Sequence, residues 1–181
     1  MPRIPPIDPA QASGEARTLL DAVHRKLGMV PNLMRTLAHS PAALGGYLVL
    51  SGALDKAALD VRMRERIALA VAQVNACGYC LSAHSAIAQT VGLGPEEIAA
   101  ARRGRSSDTK ANAAVRYALR LIETRGGVAE ADVAEARRAG LGDAELAEIP
   151  VIVAANVLTN FANRSAGVEV DFPRVEVAPA A

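Results

Sequence analysis

Cys77 and Cys80 stand three residues apart, and His84 follows four residues after the second of them. On a helix these positions, i, i+3 and i+7, fall within an arc of about 60° at roughly 100° per residue, so the three side chains share a face. A C-x-x-C pair can close into a small disulfide ring when the backbone lets the sulfurs meet. If a helix begins near Cys77, both sulfurs lie in its first turn, where the positive end of the helix dipole favours thiolate over thiol. His84, one turn past Cys80, can then take the thiol proton directly or through a water. A thiolate, a second thiol and a base are the parts needed for peroxide reduction or disulfide exchange.

Rival chemistries fit less well. A c-type haem site needs His directly after the second Cys, and Leu81 stands there. Zinc could use two Cys and one His. The chain offers only His24, His39 and His84 and no second C-x-x-C, so a fourth ligand would have to be a carboxylate or a distant His. His24 and His39 read as surface or packing residues. Two buried cysteines acting as small hydrophobes are the inert alternative. The apolar stripe around Cys80 and His84 fits burial and a shielded reactive site equally. No cofactor and no metal are expected.

The elements that must position this group read as helices throughout. Ser13 can cap a helix to about Lys26 that Gly28 ends, Pro31 can open a short one to His39, and Ser40-Pro41 starts another. Asp60 is a plausible N-cap for a segment in which Met63, Ile67, Ala70, Val71 and Val74 share one face. Cys80, His84, Ile87, Ala88 and Val91 form the next stripe, closed by Gly92. Gly94-Pro95 starts a short helix ending near Gly104. Asp108 can cap a longer one with Ala111, Ala114, Val115, Ala118, Leu119 and Ile122 inside, stopped by Gly126-Gly127. Another runs from about Ala129 to Ala139. Asp143 opens the last, which Pro150 should kink. Asn156 and Asn160, at i, i+4 on that apolar helix, could be buried polar groups at a subunit interface, or capping or packing residues. Val168, Val170 and Phe172 alternate, but the run is too short for a sheet of its own and suits an arm laid over the body or over a neighbouring subunit.

The fold class is therefore all-α. The 181 residues read as one domain, 1–181, with an extended lead-in at 1–12 and a C-terminal arm at 167–181. Hydrophobic residues make up 51% and aromatics only 3%, so the core must be built from Ala, Leu, Val and Ile, as closely packed helices allow. The 20 basic and 19 acidic residues leave a net charge of +1, which argues against nucleic acid as a partner. The N-terminus shows no signal-peptide pattern, and no apolar run approaches the roughly 18 residues of a membrane span. Two cysteines in a close pair are no secreted disulfide framework, so a reducing, cytoplasmic setting without a membrane partner is expected.

Glu65, followed by Cys77-Gly78-Tyr79-Cys80-Leu81-Ser82-Ala83-His84, resembles the Glu…Cys-x-x-Cys-x-x-x-His signature of the alkylhydroperoxidase D-like branch of the carboxymuconolactone decarboxylase superfamily. Arg64-Glu65-Arg66-Ile67-Ala68-Leu69 and Ala86 through Gly92 are similar to it too, over a block from about Asp60 to Ala101. Met29-Val30-Pro31-Asn32 and His39-Ser40-Pro41-Ala42 resemble its longer, peroxidase-related members. The resemblance implies a helical bundle whose C-x-x-C sits at a helix N-terminus, in a homo-oligomer: dimer, trimer or hexamer. It implies Cys80 as the peroxidatic thiol, Cys77 as the resolving one, His84 as base and Glu65 as the group that orients or charges it. Tyr79 is auxiliary, standing where better-known members often have His. The implied activity is reduction of organic hydroperoxides, with an external dithiol or protein reductant as partner. A lactone decarboxylase-like lyase and a non-catalytic redox-switch oligomer are the alternatives.

Spacing alone argues against Glu65. On one continuous helix it would stand about 18 Å from Cys77 along the axis. It also shares the polar side with Arg62, Arg66 and Gln73, where a solvated ion pair is the simpler reading. The implied role requires the chain to break between Asn75 and Gly78 and fold back.

Overall fold

Capping and breaking residues cut the chain into short helices, and packing then holds helices too short to persist alone. A computed structural model describes residues 1–178, so the last three positions of the expected 167–181 arm lie outside the described residues. A 3-10 turn at Pro9–Gln11 precedes α1 (Gly14–Leu27), α2 (Asn32–Leu37), α3 (Pro41–Leu54), α4 (Val61–Val74), α5 (Gly78–Thr90), α6 (Pro95–Arg102), α7 (Thr109–Glu123), α8 (Glu130–Arg138) and α9 (Asp143–Ala166). No strand occurs among the described residues, as the all-α reading requires.

Several caps fall where the sequence places them. Asp60 Oδ1 accepts from the Met63 amide at 2.8 Å, Asp108 Oδ1 from Ala111 at 2.7 Å and Ser40 Oγ from Ala43 at 3.3 Å. Gly28 ends α1 in the left-handed region at φ 73°. α9 begins at Asp143, as the sequence places it, with Gly142 as its N-cap, while Ser13 stands at the N-cap of α1 without a side-chain hydrogen bond. α9 continues through Pro150 to Ala166.

α4 is the central helix, packed against α5, α6, α7 and α9. The sequence suggests one buried face, but Leu69, Ala68 and Ala72 are buried beside Met63, Ile67, Ala70 and Val71, while Val74 is 57% exposed. A helix enclosed by neighbours is buried on several sides, and the period of its pattern does not reveal this. One apolar cluster joins Leu69 and Ala72 to α1, α2, α3 and α5. The other joins Met63, Ile67 and Val71 to α7, α8 and α9. Each fully buried Leu or Ile contributes about 1.5–3 kcal/mol, several times what helix propensity supplies per residue.

By length and composition α9 could cross a membrane, with an 18-residue window of mean hydropathy 1.3. Its Ile149, Ile152, Asn160 and Asn163 are buried in the bundle, while Val151, Leu158 and Phe161 are exposed, and 33% of that window is buried. The expectation that no apolar stretch approaches a membrane span counted unbroken runs and missed this helix.

The arm after Gly167 lies over the body of the same chain. Asp171 Oδ2 accepts from the Asn32 amide at 2.6 Å and Glu169 O from Asn32 Nδ2 at 3.1 Å. Further along, Val175 N donates to Ser82 Oγ at 3.0 Å, and Arg102 Nη2 to Glu176 O at 2.6 Å. The arm therefore crosses the start of α5, where the two cysteines are.

Candidate functional site

The break the sequence requires lies between α4 and α5. α4 ends at Val74, and Ala76 takes φ 51°, a left-handed conformation that usually falls to Gly or Asn. Asn75 and Gly78 looked like the natural break residues, yet Ala76 makes the sharpest turn. Asn75 instead ties the corner to α9, donating through Nδ2 to Asn160 Oδ1 at 2.9 Å. That bond pairs the half-buried Asn75 amide with the buried Asn160 oxygen, which would cost about 1–3 kcal/mol if left unpaired.

Cys77 is the N-cap of α5, and its sulfur accepts the Cys80 amide at 3.3 Å. The two cysteines are paired as a disulfide across a Cα–Cα distance of 5.3 Å. Both are buried, at 1% and 3% exposure. The expected placement of both sulfurs in a first helical turn is met, with the dipole favouring negative charge there.

The chain reversal brings Glu65 back beside α5. Its Oε2 lies 2.8 Å from His84 Nδ1, an ion pair when the imidazole is protonated. Glu65 is buried, contrary to the solvated reading of its helix face. Arg62, Arg66 and Gln73, which share its helix, turn to other partners: Val91 O, Glu97 and Arg102. An ionised carboxylate can only accept, so His84 Nδ1 carries the proton and Nε2 is the ring atom left for another partner. Burial alone lowers the His84 pKa, but the charge and hydrogen bond of Glu65 outweigh it, and the value rises above the usual 6.5.

Tyr79 is a buried tether. Its hydroxyl accepts from the Leu33 amide at 3.3 Å, and its ring meets Phe172 edge-on at 5.8 Å. Burial and the nearby Asp171 carboxylate push the phenol well above its ordinary pKa, although the Leu33 bond works the other way. Pro31 cannot cap α2 with a side chain. Asp171 and Tyr79 take the first two amides instead, joining α2, the arm and the cysteine motif.

A cavity of about 710 Å³ opens onto this group. Cys80, Glu65 and His84 line it and Cys77 does not. Its walls are mostly apolar: Val23 and Leu27 of α1, Met34 of α2, Tyr47 and Leu48 of α3, Ile87 of α5, and Phe172 of the arm. Lys26 and Asp55, 2.6 Å apart, stand as an exposed pair among its lining residues. A second hollow between α7 and α8 is lined by mutually paired arginines and acids, with no cysteine, serine or histidine among its lining residues.

Among the described residues no cluster of His, Cys, Asp and Glu is suited to a metal ion. His24 and His39 lie apart from the site, and His39 Nε2 bonds Pro5 O at 2.8 Å. Asn156 returns its amide to Ile152 O within α9. The sequence reading missed Asn163, whose Nδ2 donates to Cys80 Sγ at 3.3 Å. Its signal was available: Asn156, Asn160 and Asn163 recur at i, i+4 and i+7 on one apolar helix.

Residues 37–124 match the carboxymuconolactone decarboxylase family. No curated protein matches the chain in sequence. Among solved structures, an uncharacterised peroxidase-related protein from Ralstonia eutropha with an alkylhydroperoxidase D core is similar. It is 27% identical with a TM-score of 0.84, over 94% of this chain and 92% of that one. A peroxidase-related protein from Silicibacter shares the fold at 23% identity and a TM-score of 0.79, over 92% and 91% of the two chains. The debrominase Bmp8 shares it at 20% identity and a TM-score of 0.78, over 93% and 91%.

Proposed function

For this chain, an alkylhydroperoxidase D-like member of the carboxymuconolactone decarboxylase superfamily, we propose a thiol-dependent reduction of organic hydroperoxides. The observation that carries the reading is one arrangement. A paired Cys77–Cys80 sits at a helix start, Cys80 faces an apolar cavity, and a Glu65–His84 pair lines the same cavity.

The reduced pair begins the cycle. His84 takes the Cys80 proton, and the thiolate attacks the terminal peroxide oxygen. The O–O bond breaks, Cys80 becomes a sulfenic acid, and the alkoxide leaves as an alcohol with the proton from His84. Cys77 then attacks the Cys80 sulfur, forming the disulfide and releasing water. An external dithiol, free or on a protein, reduces the disulfide by exchange and is itself oxidised. Such a supply of dithiol belongs to the cytoplasm, where the protein is proposed to work.

Cavity size favours a bulky substrate. A water molecule has about 30 Å³ of liquid volume and drug-sized ligands fill about 300–1,000 Å³, so an apolar space of 710 Å³ suits an organic hydroperoxide better than hydrogen peroxide. Tyr47, Tyr79 and Phe172 also give that space aromatic walls, which favours a second reading for the same dithiol: reduction of a halogenated ring.

Counting free thiols on reduced protein before and after one equivalent of an organic hydroperoxide tests the proposal. Two thiols lost per chain within seconds, and restored by a dithiol, is the expected result. Thiols untouched over many minutes would remove peroxidase activity, and the same count with a halogenated pyrrole would then test the second reading.

A further inference from the structure

We propose that Asn163 is a further catalytic residue of this site, its side-chain amide stabilising the Cys80 sulfur as thiolate and then as sulfenate. The inference rests on the dithiol chemistry above and adds a residue from α9, far along the chain from the cysteine motif.

Asn163 is 3% exposed and lines the cavity beside Cys80. Its Nδ2 donates to Cys80 Sγ at 3.3 Å. A disulfide sulfur carries no proton, so only the amide nitrogen can bond it, which fixes the orientation of the side chain. The neighbouring asparagines differ. Asn156 donates its amide within its own helix, and Asn160 accepts from Asn75 at the α4–α5 corner while its own Nδ2 finds no partner among the described residues; neither bonds a sulfur. Among the described residues Asn163 Oδ1 has no partner. A buried amide whose one hydrogen bond goes to a sulfur stabilises the fold poorly, since Leu would fill an apolar helix position at less desolvation cost.

The bond becomes stronger once the sulfur is charged. A donor to an ionised acceptor is roughly twice as effective as one between neutral groups. Reduction turns the disulfide sulfur into a thiol or thiolate, and the amide selects the thiolate. When the sulfur attacks and gains an oxygen, the same N–H lies within reach of the sulfenate. His84 governs the proton, Asn163 the negative charge. Other ionisable groups around the sulfur are the Glu65–His84 pair, Tyr47 and Tyr79, with Lys26 and Asp55 at the exposed part of the lining.

The test reads the thiolate directly, without peroxide. In a Cys77→Ser background Cys80 is the only thiol, and its ultraviolet thiolate absorbance gives its pKa. Asn163→Leu should raise that pKa by about one to two units, and Asn163→Ala should do the same if the Leu variant fails to fold. Asn156→Leu, which removes a buried amide that touches no sulfur, should leave the pKa in place. With an organic hydroperoxide, trapping of the Cys80 sulfenate by dimedone at neutral pH should slow about tenfold in the Asn163 variants. A Cys80 pKa unmoved in a folded Asn163 variant would overturn the proposal. A raised pKa in a protein that never reacts with peroxide would uphold the amide–thiolate contact and reject the peroxidase reading instead.

Discussion

Replacing Glu65 by Gln isolates what the carboxylate does for His84. Gln is nearly the same shape, so the buried corner stays filled, and its carbonyl can still accept from His84 Nδ1 at about the observed position. The negative charge is what disappears. A hydrogen bond to a charged group contributes about 1.5–3 kcal/mol, against 0.5–1.5 for a neutral one. Losing about 1.5 kcal/mol of imidazolium stabilisation corresponds to roughly tenfold in rate at a pH where protonated His84 delivers the proton to the alkoxide. The pH profile carries the more specific signature. With Glu65 present the His84 pKa is raised, so the imidazolium persists above the usual 6.5 and is lost only as pH climbs through that higher value. In Glu65→Gln the lowering effect of burial is left unopposed. The alkaline limb of the rate profile should therefore move to lower pH. The same shift governs stability: the pair's contribution is complete below the unfolded pKa and fades as pH rises through the folded one. Stopped-flow thiol oxidation by an organic hydroperoxide, measured across pH 5–9 on both proteins, reads the effect. A Glu65→Gln profile that overlays the parent within a factor of two would show that the 2.8 Å contact holds the fold and has no part in the proton path.

Three further outcomes follow from other parts of the structure. Tyr79→Phe leaves the Leu33 amide without its acceptor and should cost about 1–3 kcal/mol in urea unfolding, with the peroxide rate changed less than threefold; a large rate loss without a stability loss would make Tyr79 a catalytic group. Burial opposes ionisation of Glu97, but bonds from Ser106, Arg66 and Ser107 hold its carboxyl down to about 2. Its contribution should be complete above the unfolded value near 4.5 and lost as pH falls toward 2, so Glu97→Gln should flatten acid unfolding in that window, and an unchanged acid midpoint would contradict this. The exposed α9 stripe of Val151, Leu158 and Phe161 is proposed as the contact between copies of the chain; light scattering should find an oligomer that Phe161→Asp dissociates, and a monomeric parent protein would refute it.

What was legible in the sequence was local. Asp60, Asp108 and Ser40 announce helix starts because a side-chain oxygen satisfies an amide within three residues of itself. Cys77 and Cys80 declare a ring because their spacing suits one helical turn. The resemblance of the motif block named Glu65 and His84 as partners before any geometry was known.

Tertiary structure decided which distant groups meet. Whether Glu65 points to solvent or to His84 depends on the left-handed turn at Ala76, a residue that carries no turn signal of its own. The central position of α4 buries sides that a 3.6-residue pattern leaves unmarked, since the pattern records composition and not the number of neighbours. Asn163 reaches Cys80 across 83 positions of sequence, and the arm brings Phe172 to Tyr79 in the same way. Contacts of that range depend on the packing of whole helices, so no local spacing encodes them. The reactive types at this site were written in the chain; their company was settled by the fold.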